Sequence, residues 1–492
     1  MIQYNYQVPA HELLMPSVKS IEETGGLLKL HVGSAYAIDD EFLPLAPHLE
    51  AELGLNSGCE DVLLAKSPIQ LPLEAYTLRV TKDQVVAKAS DIHGMFNAVE
   101  TLRQLMLAND SLVPCCRIED EPLFPWRGFM LDTARHFFPI GEIKKLIDAA
   151  AMHHMNVFHW HLTDDQGWRF PVDGYPELEE KAGKRTDHAY ADGRTYGGFY
   201  SKEDIRDVVE FAHSRMMTVV PELECPGHAG ALLAAYPNLG CAKGPYHVKD
   251  QWGVFPEVLC PGEDAVFTFL DAAISTLCSL FPDPYLHIGG DECPHTAWKT
   301  CPKCQERMRQ EHLSDEDQLQ GWFTTRVAQM VRDHGKRGIG WDEVWEFSDK
   351  KSLPQDLVIM SWRGSKGGVE AAKQGHQVIM CPNTEGLYMD YRHTADPNEM
   401  GTIGVSTIRQ IASFNPVKEG IDPSLVLGAQ ANLWTEKVEN GRQAEYLLFP
   451  RLAVLAERLW RGQEPEGLTD KLSWESKKLD KLGILSYRGP LE

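Results

Sequence analysis

No run of about 18 apolar residues occurs in the 492-residue chain, so no segment reads as a membrane-crossing helix. No basic tract occurs either. With 71 acidic against 48 basic residues the net charge is −23, which repels a polyanion such as nucleic acid and suits a neutral or cationic substrate. The opening Met1-Ile2-Gln3-Tyr4-Asn5-Tyr6 has neither a charged n-region nor an apolar h-region, so it does not read as an export signal. That leaves a cytoplasmic chain or one whose leader has been removed. The eleven cysteines are odd in number and irregularly spaced, which favours reduced thiols and a cytoplasmic location over a disulfide framework. There is no internal repeat and no low-complexity stretch.

What is present is enough for a large core. Hydrophobic residues make up 43% and charged residues 24%, and the length accommodates an α/β barrel of about 250–350 residues with a smaller companion domain. Residues 1–120 mix strand patterns at 29–38, 75–80 and 85–89 with a helical pattern at 93–106, where Met95, Val99, Leu102 and Met106 recur at helical spacing. They hold no cluster of reactive side chains and read as a small α+β accessory domain.

The composition shifts near residue 120. Thereafter strands are expected at 127–132, 156–162, 218–222, 285–289, 337–341, 357–362, 377–381 and 425–430. Helices are expected between most of them, at 141–154, 201–214, 265–280, 317–334 and 367–375. Eight alternating units imply a parallel sheet closed into a (β/α)8 TIM barrel over 121–465. An open doubly wound sheet would want a glycine-rich phosphate loop after its first strand, and Asp132-Thr-Ala-Arg-His136 has none. Residues 441–460 read as one helix, and 466–492 as a polar tail with a short helix near 470–482.

Active sites of such barrels sit at the C-terminal strand ends. Read in order, those ends supply Asp132, Arg135 and His136; then His159, His161, Asp164 and Asp165; then Glu222, Glu224 and His228. The fourth supplies Asp291 and Glu292, the fifth Trp341, Asp342 and Glu343, and the sixth Trp362 and Arg363. Asn383, Tyr388 and Asp390 follow the seventh, and Asn432, Trp434 and Glu436 the eighth. Singly, each has a plain reading as packing or helix capping. Together, aromatic faces that stack on C–H patches and carboxylates that accept hydroxyl hydrogen bonds make a sugar pocket. In Gly289-Gly290-Asp291-Glu292 the glycines let the backbone bend, so that consecutive carboxyls enter one site. Held close, one is pushed toward its protonated form while the other stays ionised.

These stretches resemble glycoside hydrolase family twenty, the β-N-acetylhexosaminidases. The resemblance is carried by Trp126-Arg-Gly-Phe-Met-Leu-Asp-Thr-Ala-Arg-His136, His159-Trp-His-Leu-Thr-Asp-Asp-Gln-Gly-Trp-Arg169, Pro221-Glu-Leu-Glu-Cys-Pro-Gly-His228, His287-Ile-Gly-Gly-Asp-Glu292 and Gly340-Trp-Asp-Glu343. It covers roughly residues 120–462, and the first 120 residues look like the domain that often precedes this barrel.

The resemblance implies a retaining exo-glycosidase acting on terminal β-linked N-acetylglucosamine or N-acetylgalactosamine, with the substrate's own acetamido group as nucleophile. It implies Glu292 as general acid, Asp291 as acceptor of the acetamido N–H, and Tyr388 as donor to the acetamido oxygen. Trp341, Trp362 and Trp434 would wall in the sugar. Arg135 and Glu436 would hold ring hydroxyls and Asp390 the O6 hydroxyl, while Asp164 and His228 would tune the acid. The expected partners are N-acetylhexosamine-containing oligosaccharides or glycoconjugates, without nucleic acid, membrane or cofactor, and the chain is expected as a monomer or homodimer.

Two rivals remain at this stage. His159-Trp-His161 with Asp291 suggests a metal-dependent barrel hydrolase, and a pocket without turnover would be a carbohydrate-binding protein. Cys301-Pro-Lys-Cys304 is a CxxC that needs two more ligands to hold zinc, with Cys293 and His295 near in sequence. By itself it assigns no metal.

Overall fold

Strands buried on both faces read as unbroken apolar runs, and eight such runs follow residue 125. In the computed structural model, which describes residues 8–58, 61–186, 193–350 and 352–492, they are β1 (Trp126–Asp132), β2 (Val157–His161), β3 (Thr218–Glu222), β4 (Tyr285–His287), β5 (Arg337–Trp341), β6 (Val358–Ser361), β7 (Val378–Met380) and β8 (Val426–Leu433). The opening hexapeptide lies outside the described residues.

Each strand pairs in parallel with the next, and β8 returns to β1 from Gly428↔Trp126 to Leu433↔Leu131, closing the barrel. Closure satisfies backbone hydrogen bonds that an open sheet would leave at its edges. The thinnest seam lies between β3 and β4, whose ladder is the single pair Glu222↔His287. The lower lumen is apolar, filled by Trp126, Val220, Ile339, Val358 and Met360.

Helices Ile140–Met152, Lys202–Ser214, Asp264–Leu280 and Glu316–Asp333 follow the first four strands. Their starts are written locally. Ser201 accepts from the Asp204 N–H in a reciprocal capping box, and Asp315 accepts from the Gln318 N–H at 2.9 Å. The helix expected over 441–460 is two, Gly441–Leu448 and Arg451–Arg461. Pro450 has no N–H to carry the first helix onward, so the chain turns and begins again there.

Before the barrel lies a seven-stranded mixed sheet with the helix Ile92–Ala108 packed against it. The strand expected over 29–38 is in fact two. Ser20–Lys29 pairs antiparallel with Leu112–Asp120, a turn follows in which Gly33 takes φ +95°, and Ala35–Ile38 then runs in parallel with Val62–Lys66.

The segment read as a polar tail holds the two units together. In helix Leu468–Lys481 the charged residues Lys471, Glu475 and Lys478 share one face and are buried. Lys471 donates to the carbonyls of His11 and Leu14, and Lys478 donates to Gln104 of the small domain at 2.6 Å. Glu475 meets both Lys478 and His153 of the barrel at 2.7 Å.

Candidate active site

The bend at the end of β4 builds the site. Gly289 and Gly290 adopt φ +64° and +102°, a region that disfavours side chains. A Cβ at Gly289 would overlap the Glu224 carboxyl, and one at Gly290 would overlap Val344. The bend turns Asp291 and Glu292 to the same side. Glu292 itself sits at φ +46°, an uncommon conformation for a residue with a side chain.

Asp291 and Glu292 line one pocket with Arg135, Trp341, Trp362, Tyr388, Trp434 and Glu436. These residues come from the ends of β1, β4, β5, β6, β7 and β8. The rings form a continuous wall. Trp341 lies 5.9 Å from Trp434, Tyr388 lies 6.3 Å from Trp434, and Trp362 stacks on Tyr388 at 6.1 Å. Arg135 lies over Trp434 at 5.0 Å. The two carboxylates differ in depth: the Asp291 side chain is 10% exposed and that of Glu292 39%. Buried polar atoms normally find partners, yet Asp291 Oδ1, Glu436 Oε2 and Asp390 Oδ1 have none among the described residues. Asp291 and Glu436 line the pocket, where their free oxygens can accept from a polar ligand.

Asp164, His228 and Asp390 stand behind this lining. Asp164 holds Arg135 at 2.9 Å and faces His228 Nδ1 at 3.3 Å. The other nitrogen of His228 lies 3.5 Å from Asp291 and 3.6 Å from Glu292, so one ring touches both carboxylates. Burial alone would lower the His228 pKa, but Asp164, Asp165 and Asp291 overcome it and hold the ring well above its ordinary value. Burial alone would raise Asp164, but Arg135 and His228 keep it well below the usual carboxylate range. Asp390 accepts from the Thr402 hydroxyl at 2.9 Å, and burial with Glu436 nearby lifts it to about 7.

Of the acids named at strand ends but not assigned to the site, two feel the charge of Asp291. Glu224 is buried with neither oxygen partnered among the described residues, and burial followed by repulsion from Asp291 and Glu222 raises it well above the carboxylate range. Glu343 accepts from the Trp362 indole at 2.9 Å, and burial with Asp291 and Asp342 lifts it to about 9. A signal existed for the first: Glu224 stands two residues beyond Glu222, the last residue of β3, a spacing that keeps both on one side of an extended chain. The second was masked by its place in the helix Asp342–Phe347.

The paired histidines of β2 point elsewhere. His161 bonds Glu222 and Asp164, and His159 lies 3.0 Å from Glu222, which also receives His287 at 2.9 Å and the Trp341 indole at 2.8 Å. Glu222 thus gathers three histidines and a pocket wall beneath the floor. Burial would lower His161, but Glu222 and Asp164 raise it to about 10.

Comparison with known proteins gives the same picture for both units. Residues 124–463 match the family model "Glycosyl hydrolase family 20, catalytic domain", and residues 14–121 match "Glycosyl hydrolase family 20, domain 2". A beta-hexosaminidase of Porphyromonas gingivalis is 41% identical over 90% of this chain, which spans 58% of that protein's length. A beta-hexosaminidase of Vibrio furnissii is 34% identical over 90% of this chain and 76% of its own. The crystal structure of an exo beta-N-acetylglucosaminidase from Vibrio harveyi in complex with N-acetylglucosamine superposes with a TM-score of 0.87 at 30% identity. That match covers 98% of this chain and 79% of the other.

Proposed function

Since the chain belongs to glycosyl hydrolase family 20, we propose that it releases terminal, non-reducing β-linked N-acetylhexosamine with retention, the substrate's acetamido group acting as nucleophile. The observation that carries this reading is the bend at Gly289-Gly290, which sends Asp291 and Glu292 into one aromatic-walled pocket.

Glu292, the more exposed carboxyl, protonates the glycosidic oxygen as the leaving sugar departs toward solvent. The acetamido carbonyl oxygen attacks C1 and closes an oxazolinium ring, an intramolecular step that gains from proximity. Asp291, deeper and with Oδ1 free, accepts the acetamido N–H and stabilises the ring's positive charge. Tyr388 donates to the acetamido oxygen and aligns it. Glu292, now ionised, takes a proton from water as that water opens the ring.

Trp341, Trp362 and Trp434 enclose the acetamido methyl and the sugar face. Arg135 and Glu436 hold ring hydroxyls, and Asp390 holds O6 through its free oxygen. His228 touches both carboxylates and is anchored by Asp164, so it orients the pair. We place this activity in the cytoplasm, on short oligosaccharides. The ten described cysteines, all unpaired, support that placement. Most of the activity appearing in culture medium would refute it.

A panel of chromogenic β-glycosides with and without the 2-acetamido group tests the mechanism. Turnover is expected on the acetamido substrates and far slower turnover on plain β-glucosides. Comparable rates on both would exclude the internal nucleophile.

A further inference from the structure

Away from the pocket, four cysteines from three separate segments converge. Cys241 follows Gly240, which bridges antiparallel to Leu259, and the Cys260 N–H donates to the Leu239 carbonyl at 2.9 Å. The bridge therefore brings Cys241 and Cys260 side by side. Cys301 precedes Pro302 at the start of helix Pro302–Gln310, and Cys304 lies in its first turn. A two-residue gap there points both thiols off one helix end, whose positive pole favours thiolates. Gly262 makes the approach possible, because any Cβ there would overlap the backbone of Lys303 and Cys304.

All four sulfurs lie within 4.8 Å of one another. Cys241 to Cys304 and Cys260 to Cys301 are 3.7 Å apart, and Cys260 to Cys304 is 3.5 Å. Zinc–thiolate bonds of about 2.3 Å in a tetrahedron set sulfur–sulfur edges of about 3.8 Å. Ordinary packing demands only apolar bulk, which Val258, Trp298, Met308 and Leu319 already supply around the cluster. Disulfides pair thiols one to one, whereas Cys260 and Cys304 each border more than one sulfur at similar range.

We propose that Cys241, Cys260, Cys301 and Cys304 hold one zinc ion as four thiolates, a structural site independent of the sugar pocket. Cys241 is half-buried and the other three are buried, which leaves no open coordination position for catalysis. The two partners missing from the CxxC are therefore Cys241 and Cys260, not Cys293 and His295. His295 stacks on Trp298 at 4.9 Å and meets Asp317 at 3.0 Å, and Cys293 only packs against the cluster. The ion ties the loop after β3, which carries His228, to the segment after β4, which carries Asp291 and Glu292. Binding releases the four thiol protons to solvent as the metal takes their place.

The test uses the purified full-length protein. Elemental analysis is expected to find about one zinc per chain. An organomercurial titrated with a chromogenic zinc chelator is expected to release that zinc as thiols are consumed. Protein produced in cobalt medium is expected to show the sulfur-to-metal charge transfer and intense visible bands of a tetrahedral thiolate site. Cys260→Ser with Cys304→Ser should lose the zinc. Cys241→Ser, which alters the half-buried ligand and spares the core, should hold it at least about tenfold more weakly. Native protein without stoichiometric zinc and with these thiols open to alkylation, or with two of them recovered as a disulfide, overturns the proposal. So does unchanged zinc retention in Cys241→Ser. Zinc content is read without any activity assay, so its failure and that of the glycosidase reading are told apart.

Discussion

Replacing Asp291 with Asn removes a charge and keeps the side chain's size. Asp291 is 7% exposed, and its Oδ2 lies 3.5 Å from His228, so the pocket keeps its shape and little water screens the position. A charge pair about 4 Å apart near a protein surface is worth roughly 4 kcal/mol. Loss of one preorganised stabiliser in known enzymes costs about 2.7–4 kcal/mol, or roughly 10²–10³ in kcat. Both routes place Asp291→Asn at about 10²–10³ below the parent in kcat, with KM little changed because the amide still fills the space. The assay is steady-state hydrolysis of a chromogenic β-N-acetylglucosaminide, run beside the plain β-glucoside. The residual β-glucoside rate should fall much less, since that substrate forms no oxazolinium ring for Asp291 to stabilise. A parent-like kcat on the acetamido substrate, or equal losses on both substrates, would refute the reasoning.

Other outcomes follow from the same geometry. Glu292→Gln should abolish turnover of substrates with poor leaving groups while leaving sugar binding largely intact, as calorimetry with N-acetylglucosamine would read. Gly290→Ala meets both the overlap with Val344 and the φ of +102°, and should cost about 1–3 kcal/mol in chemical denaturation while misplacing Asp291 and lowering kcat. Glu475 is fully buried; burial would raise its pKa, but Lys478 and His153 lower it to about 2. A folded-state value below the unfolded one means this carboxylate stabilises the fold above about pH 4.5. That contribution, on the order of 3 kcal/mol, fades as pH falls toward about 2. Glu475→Gln should therefore destabilise the protein at neutral pH and flatten its acid unfolding between those values, and an unchanged acid midpoint would count against the coupling.

The barrel was legible because its strands are buried on both faces, so each appears as a short apolar run ending in polar residues. The pocket was legible for the same reason: strand ends are sites of convergence in this architecture, and eight of the residues named from them line one cavity. Where residues act through burial, the reading was weaker. Glu224 and Glu343 look like ordinary strand-end or helix-start acids until the enclosing walls show that neither is solvated. The segment of Lys471, Glu475 and Lys478 read only as a polar tail because charge alone does not say which side of a helix meets another domain. The split of residues 29–38 at Gly33 shows the same limit at short range, since an apolar run with one glycine is compatible with both a strand and a turn.

By itself, then, the order of residues determined the repeating β/α pattern, the motif at Gly289-Gly290-Asp291-Glu292 and the aromatic character of the strand ends. These are local properties, set by backbone freedom and by side-chain spacing along one segment. Only the tertiary structure decided that His228 touches both acids, that Glu222 gathers three histidines, and that Cys241 and Cys260 meet Cys301 and Cys304. Those arrangements join residues tens of positions apart, and chain closure over such distances leaves no periodicity in the sequence to read.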